Sequence, residues 1–135
     1  LTQECDESYH CESVVIDRVT ETRRTLNTSL DSYEQNAGAI SPDGRTAALL
    51  QPNGLGSSNV HLLDLVTGAD RLTGVTTSSD QTLGGRTFVW SPDSRWLFVT
   101  NGAGRVLAIN PAGQATPLAV HVGTVGQLAL RTGPR

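Results

Sequence analysis

Ile40-Ser41-Pro42-Asp43-Gly44-Arg45 returns fifty residues later as Trp90-Ser91-Pro92-Asp93-Ser94-Arg95, and this near-copy sets the frame for the rest of the chain. Proline fixes φ for the first central position of a turn, an aspartate carboxylate bonds the backbone that follows it, and Gly44 tolerates positive φ. Each copy therefore reads as a hairpin turn, with Ser94 standing where the glycine is expected. Short apolar runs flank both turns: Ala37–Ile40 and Thr46–Gln51 around the first, Thr87–Trp90 and Trp96–Thr100 around the second. Runs of this length between turn signals read as strands.

A second, unrelated marker confirms the period. Val14-Val15-Ile16-Asp17-Arg18-Val19-Thr20-Glu21, His61-Leu62-Leu63-Asp64-Leu65-Val66-Thr67-Gly68 and Val106-Leu107-Ala108-Ile109-Asn110-Pro111-Ala112-Gly113 each read as a strand entering a tight turn. Asp17, Asp64 and Asn110 follow one another at 47 and then 46 residues, the third copy being one turn residue shorter. A period in the forties is the mark of a repeat architecture. Asn59–Leu65 and Ala69–Thr73 complete one set of four antiparallel strands; Arg105–Asn110 and Gln114–Leu118 complete the next, with loops at Gly84-Gly85 and Asn101–Gly104. Glu12–Asp17 and Thr22–Leu26 match the third and fourth strands of an earlier unit, with Leu1–Glu4 the end of its second. Val125–Arg131 falls where the first strand of a further unit belongs. Thr20, Thr22, Thr25 and Thr28 disfavour a helix over 17–36, and Asn27–Asn36 reads as loop.

This order of strands, with a Ser-Pro-Asp-Gly-Arg turn after the first and Leu-Asp-Leu-x-Thr-Gly closing the third, resembles the blade repeat of β-propellers. The likeness is to the WD40-like and TolB-like repeats of bacterial extracytoplasmic proteins, over residues 12 to 131. Leu63-Asp64 and Ile16-Asp17 stand where the eukaryotic type carries Trp-Asp. The resemblance implies an all-β protein of four-stranded blades, forming one domain over 1–135. The expected divisions are a partial blade at 1–36, blades at 37–84 and 85–119, and the first strand of a further or shared blade plus tail at 120–135. Propellers usually have about four to eight blades. Two complete blades with partial ones at both ends thus imply a piece of a larger ring, or a ring completed by two copies each lending its last strand.

Composition limits the functions on offer. The 135 residues carry 37% hydrophobic side chains, 14 Gly and 6 Pro, which fits one turn-rich soluble domain. Net charge is -3, and all ten basic residues are Arg, scattered apart from Arg23-Arg24, so no footprint for nucleic acid is present. No apolar run approaches the roughly 20 residues that cross a bilayer. The start at Leu1 reads as a processed or trimmed chain, and the Arg, Ala, Gly, Thr and Val usage as a high-GC bacterial source.

Few residues invite chemistry. Cys5 and Cys11 flank the five-residue connection Asp6–His10, and a hairpin there brings them side by side within disulfide range. A disulfide implies an extracytoplasmic location; the competing reading is a zinc site from Cys5, His10 and Cys11 with Asp6 or Glu7. Ser41, Pro42, Asp43, Gly44, Ser91, Pro92, Asp93, Asp64 and Gly68 read as structural turn formers, Asp17 and Asp64 accepting from turn amides such as Gly68. Calcium is the alternative for Asp43, Asp80 and Asp93. His61 and His121 read as structural or solvated, and Gly54-Leu55-Gly56 as a hairpin tip. Trp96 is expected between blades, whereas Phe88 and Trp90 line the inner strand, facing a ligand.

No catalytic, cofactor or metal constellation emerges, and the expectation is a binding or scaffolding module, with a protein partner or a second copy as its partner. Pro52–Ser58, Ser78–Gly85 and Gly102–Gly104 are the candidate ligand loops. The competing classes are a propeller attached to a peptidase-like enzyme and a sensor ectodomain.

Overall fold

In the computed structural model, residues 2–8, 11–26, 38–53, 56–78, 88–122 and 128–131 are described. They form eleven strands and no helix: β1 (Thr2–Cys5), β2 (Cys11–Ile16), β3 (Arg23–Leu26), β4 (Gly38–Ile40), β5 (Thr46–Pro52), β6 (Ser57–Asp64), β7 (Asp70–Ser78), β8 (Phe88–Trp90), β9 (Leu97–Thr100), β10 (Arg105–Ile109) and β11 (Ala115–His121). Every pairing is antiparallel between strands consecutive in sequence. The first sheet runs β1-β2-β3, the middle sheet β4-β5-β6-β7, and the third β8-β9-β10-β11.

Strand periodicity distributes the core. On one face of the middle sheet Ala48, Leu50, Val60, Leu62 and Val75 meet Phe88, Trp90, Leu97, Val99 and Ile109 of the third sheet. Intervening residues point the other way, where Ala47, Leu49, Leu63 and Leu65 take up Val15 of β2. A half-exposed strand alternates buried with exposed, but the middle stretches of β5 and β6 are buried on both faces because each face has a neighbour. Leu62 and Leu97 are fully buried, each contributing about 1.5–3 kcal/mol of burial.

Polar contacts stitch the same junctions. Trp90 Nε1 donates to Ala39 O at 3.0 Å, and Asp43 N to Ser94 Oγ at 2.9 Å, joining the middle and third sheets. At the outer strands Arg24 donates to Val66 O at 3.1 Å and Arg71 to Pro111 O at 2.6 Å. These arginines are equivalent: each lies seven residues after its turn aspartate, opposite Val15 and Leu62 respectively. Thr116, opposite Ala108, holds that place in the third sheet.

Both outer strands outrun the expected ends at Thr73 and Leu118, and for one reason. β7 shifts register between Asn59 and His61, where two extra residues bulge out at Gly74, whose φ is +72°. Thr73 Oγ1 caps the bulge on Val60 O at 2.9 Å, and pairing resumes to Ser78. β11 makes the same shift opposite Arg105 and Leu107. A bulge preserves the ladder beyond it, so the turn-like glycine interrupts a strand without ending it. Four further expectations fare differently. Residues 128–131 lie in no strand, and the remainder of the Val125–Arg131 strand, like Asn27–Asn36 and Gly84-Gly85, lies outside the described residues. Trp96, expected between blades, is 37% exposed, because β9 begins one residue later.

Candidate functional site

The two Ser-Pro-Asp turns are built alike. Ser41 Oγ donates to Asp43 Oδ1 at 2.6 Å and accepts Thr46 N at 3.0 Å, while Asp43 Oδ1 accepts Arg45 N at 3.1 Å. Ser91 and Asp93 repeat this at 2.6, 2.9 and 3.1 Å with Trp96 N and Arg95 N. The serine hydroxyl first, and the arginine amide second, hold both carboxyls below the ordinary aspartate range. Gly44 sits at φ +72° and Ser94 at +60°, so the serine adopts the glycine conformation.

The turns after the third strands follow a second scheme. Asp64 Oδ1 accepts Val66 N and Thr67 N, both at 2.8 Å, and Asp17 Oδ1 accepts Val19 N and Thr20 N at 2.8 and 3.2 Å. Gly68 N, the donor expected for the Asp64 carboxylate, goes to the Asp64 carbonyl at 2.8 Å. The turn amides lower the pKa of both aspartates, chiefly Thr67 for Asp64 and Val19 for Asp17. Asn110 bonds Gln114 instead, accepting its N–H at 2.9 Å and donating to its side chain at 2.8 Å. These carboxylates are thus engaged by their own turns.

The Asp43–Ser94 contact places the Ser-Pro-Asp turns of both complete sheets at one end. Antiparallel topology sends the β5–β6 and β9–β10 connections to the other end. There Ser57 Oγ donates to Asn53 Oδ1 at 2.8 Å, and Asn101 Oδ1 accepts Ala103 N and Arg105 N at 3.1 and 2.9 Å. This end carries the described parts of Pro52–Ser58 and Gly102–Gly104; residues 79–85 of the third candidate loop lie outside the described residues. The two tips share an asparagine-anchored build and present exposed Gly102 and Ala103 with half-buried Asn53 and Asn101.

Phe88 and Trp90 require correction. Both are buried in the core between the middle and third sheets, and the Trp90 indole is committed to Ala39 O, so neither faces a ligand. Cys5 stands directly opposite Cys11 in the β1–β2 register, as the hairpin reading requires of the backbone. Among the described residues no cluster of His, Cys, Asp and Glu forms a metal site.

One polar pair escaped the sequence reading. His61 Nδ1 lies 3.1 Å from Asp70 Oδ1 and 3.2 Å from Oδ2, with the imidazole side chain 9% exposed and its Nε2 without a hydrogen-bond partner. Register makes Val14 and Leu107 the equivalents of His61, and Arg23 and Ala115 those of Asp70. The available signal was this substitution: a histidine in a slot that is apolar in both sister units. Directly opposite Leu49 in the register, His61 lies on the face of the middle sheet that takes up Val15.

No family model and no curated protein matches the chain. Among solved structures it is similar to the β-propeller domain of the trilobed protease from Pyrococcus furiosus, which has an open velcro topology, at TM-score 0.57 and 18% identity. The match covers 84% of this chain and 36% of that one, so the chain spans about a third of that structure's length. At this identity the likeness concerns fold alone, and with the sheets described above it defines the class: the chain is an all-β stack of propeller blades, two of them complete.

Proposed function

We propose that the chain is a non-catalytic propeller module that binds a protein or small ligand through the end carrying the β5–β6 and β9–β10 tips. The observation that supports this reading is the division of labour between the two ends. Carboxylates at the Ser-Pro-Asp end are consumed by their own turns, whereas the opposite tips are short, held by Asn53 and Asn101, and free to vary without disturbing a ladder. Panning a displayed random-peptide library on the full chain tests it. Enriched peptides should lose binding to N101A and keep it with R18A, whose side chain is exposed in the turn after β2. Loss with R18A and retention with N101A places the site at the other end and overturns the assignment. Turnover of chromogenic peptide, ester or glycoside substrates above buffer overturns the non-catalytic half.

The repeat type we assign is WD40-like or TolB-like, from the turn motifs, and the location extracytoplasmic, from the facing positions of Cys5 and Cys11. Alkylation without reductant should add no mass; two modified thiols overturn the cross-link. The second reading, a propeller belonging to a larger peptidase, is favoured by one observation, the protease that supplies the structural neighbour. A hydrolase motif in the same reading frame would support it.

A further inference from the structure

We infer that Asn101-Gly102, in the β9–β10 tip, is a site of self-modification, where the Gly102 amide nitrogen closes on the Asn101 side chain and the asparagine becomes an aspartyl or isoaspartyl residue. The reaction asks two things of the chain: a backbone nitrogen free to attack, and a side-chain carbonyl placed to take up negative charge. Among the described residues no hydrogen bond holds the Gly102 amide, and Gly102 and Ala103 are exposed. The half-buried Asn101 side chain accepts Ala103 N at 3.1 Å and Arg105 N at 2.9 Å on one atom. A side-chain amide that meets two N–H donors presents its oxygen to them. As nitrogen adds to Cγ, charge develops on that oxygen, and donors already in place stabilise it without reorganising.

The chemistry balances with water alone. The deprotonated Gly102 nitrogen bonds to Asn101 Cγ, the tetrahedral adduct expels the side-chain nitrogen as ammonia, and a five-membered succinimide remains. Water opening the ring at Cγ restores the ordinary main chain with aspartate at 101; opening at the main-chain carbonyl gives the isoaspartyl product. Aspartate suits the tip as it stands, since Asp17 and Asp64 already accept turn amides through Oδ1. The isoaspartyl product does not, because its main chain gains a methylene and the carbonyl that accepts Gly104 N at 2.9 Å becomes a free carboxylate. Gly102 has no structural duty of its own: its φ lies outside the left-handed region, and a Cβ there would meet nothing within 4 Å. Its bareness leaves the attacking nitrogen uncrowded. Asn53-Gly54 repeats the dipeptide in the β5–β6 tip, where Asn53 Oδ1 accepts the Ser57 hydroxyl and residue 54 lies outside the described residues. The conversion proceeds whether or not the tips bind a ligand.

The full chain, incubated in mildly alkaline buffer and mapped as peptides, should show the Asn101 peptide gaining about one mass unit in two chromatographic forms. Only the isoaspartyl form should accept methyl groups from an isoaspartyl methyltransferase. The rate should rise with pH, because the deprotonated nitrogen is the nucleophile. G102A crowds and misplaces that nitrogen and should slow conversion about tenfold or more, at an unchanged melting temperature. The folded chain should convert at least as fast as a synthetic peptide of residues 97–109. A folded chain slower than the peptide overturns the inference, since the tip would then protect Asn101 instead of activating it. Conversion confined to Asn53 overturns it too, and equal rates in the parent and G102A would do the same by removing Gly102 as the attacking residue.

Discussion

Ser94 shows how a residue that departs from a repeat can be compensated. It holds φ +60°, a conformation that costs an L-residue about 1 kcal/mol relative to glycine, and its hydroxyl accepts the Asp43 amide of the neighbouring sheet. S94A keeps the strain and loses the bond, so it should destabilise by about 1 kcal/mol in urea unfolding. S94G exchanges the bond for relief of strain and should sit within about 0.5 kcal/mol of the parent. Equal losses in both variants would remove the inter-sheet bond from the account. The four turn aspartates act together on pH dependence. Asp17, Asp43, Asp64 and Asp93 all have folded pKa values below the ordinary one, so the unfolded chain binds more protons through the window beneath about pH 4. Their contribution is present above that window and is lost as pH falls through it. Melting temperature should therefore drop from pH 5 towards pH 3, and removing the hydroxyls that bond Asp43 and Asp93 in the S41A/S91A double variant should flatten the slope. An unchanged slope would deny the hydroxyls their part.

At the scale of the element, the arginine contacts explain why the outer strands hold to the next sheet although they are largely exposed. Arg71 crosses to Pro111 O and lies over Gly113, whose φ is +83° and where a Cβ would come 2.7 Å from the Arg71 side chain. G113A should cost about 1–2 kcal/mol from the backbone conformation, with a further increment that vanishes in the R71A background. A double-mutant cycle by chemical denaturation reads that coupling; additive losses would mean that the arginine moves aside freely. The outer strands also mark where sequence stops being legible. The Ser-Pro-Asp and strand-ending aspartate markers could be read because their conformations demand particular residue types at fixed offsets, and the two complete four-strand sets follow from them. Gly74 could not be read correctly, since a glycine at positive φ serves a turn and a bulge equally, and only the partner strand distinguishes them. Phe88 and Trp90 read as ligand-facing yet lie buried, because alternation says which residues share a face without saying that the middle sheet covers it. The paired tips were legible as loops; the His61–Asp70 pair was not, because a separation of nine residues says nothing until register sets β6 beside β7.

On the scale of the whole molecule, the three sheets are not equally tied. The middle and third sheets share ten buried side chains, with Trp90 and Ser94 bridging them by hydrogen bonds. Among the described residues the first sheet meets the middle one through Val15 against four buried residues, supplemented by the exposed Arg24 contact, and its Glu4–Arg23 ion pair is solvated. Surface ion pairs of that kind are worth little, so they do not redress the difference in buried apolar area. Local opening follows the smaller core. Hydrogen exchange should therefore release the amides of β2 and β3 before those of β5, β6, β9 and β10, which should exchange together. L97A removes a fully buried side chain from the shared core and should cost about 2–5 kcal/mol, lowering protection in the middle and third sheets alike. V15A should lower protection in β2 and β3 while leaving β9 and β10 at parent values. If L97A instead released the third sheet alone, the two complete blades would be independent units, and the core between them would be a docking surface rather than one cooperative interior.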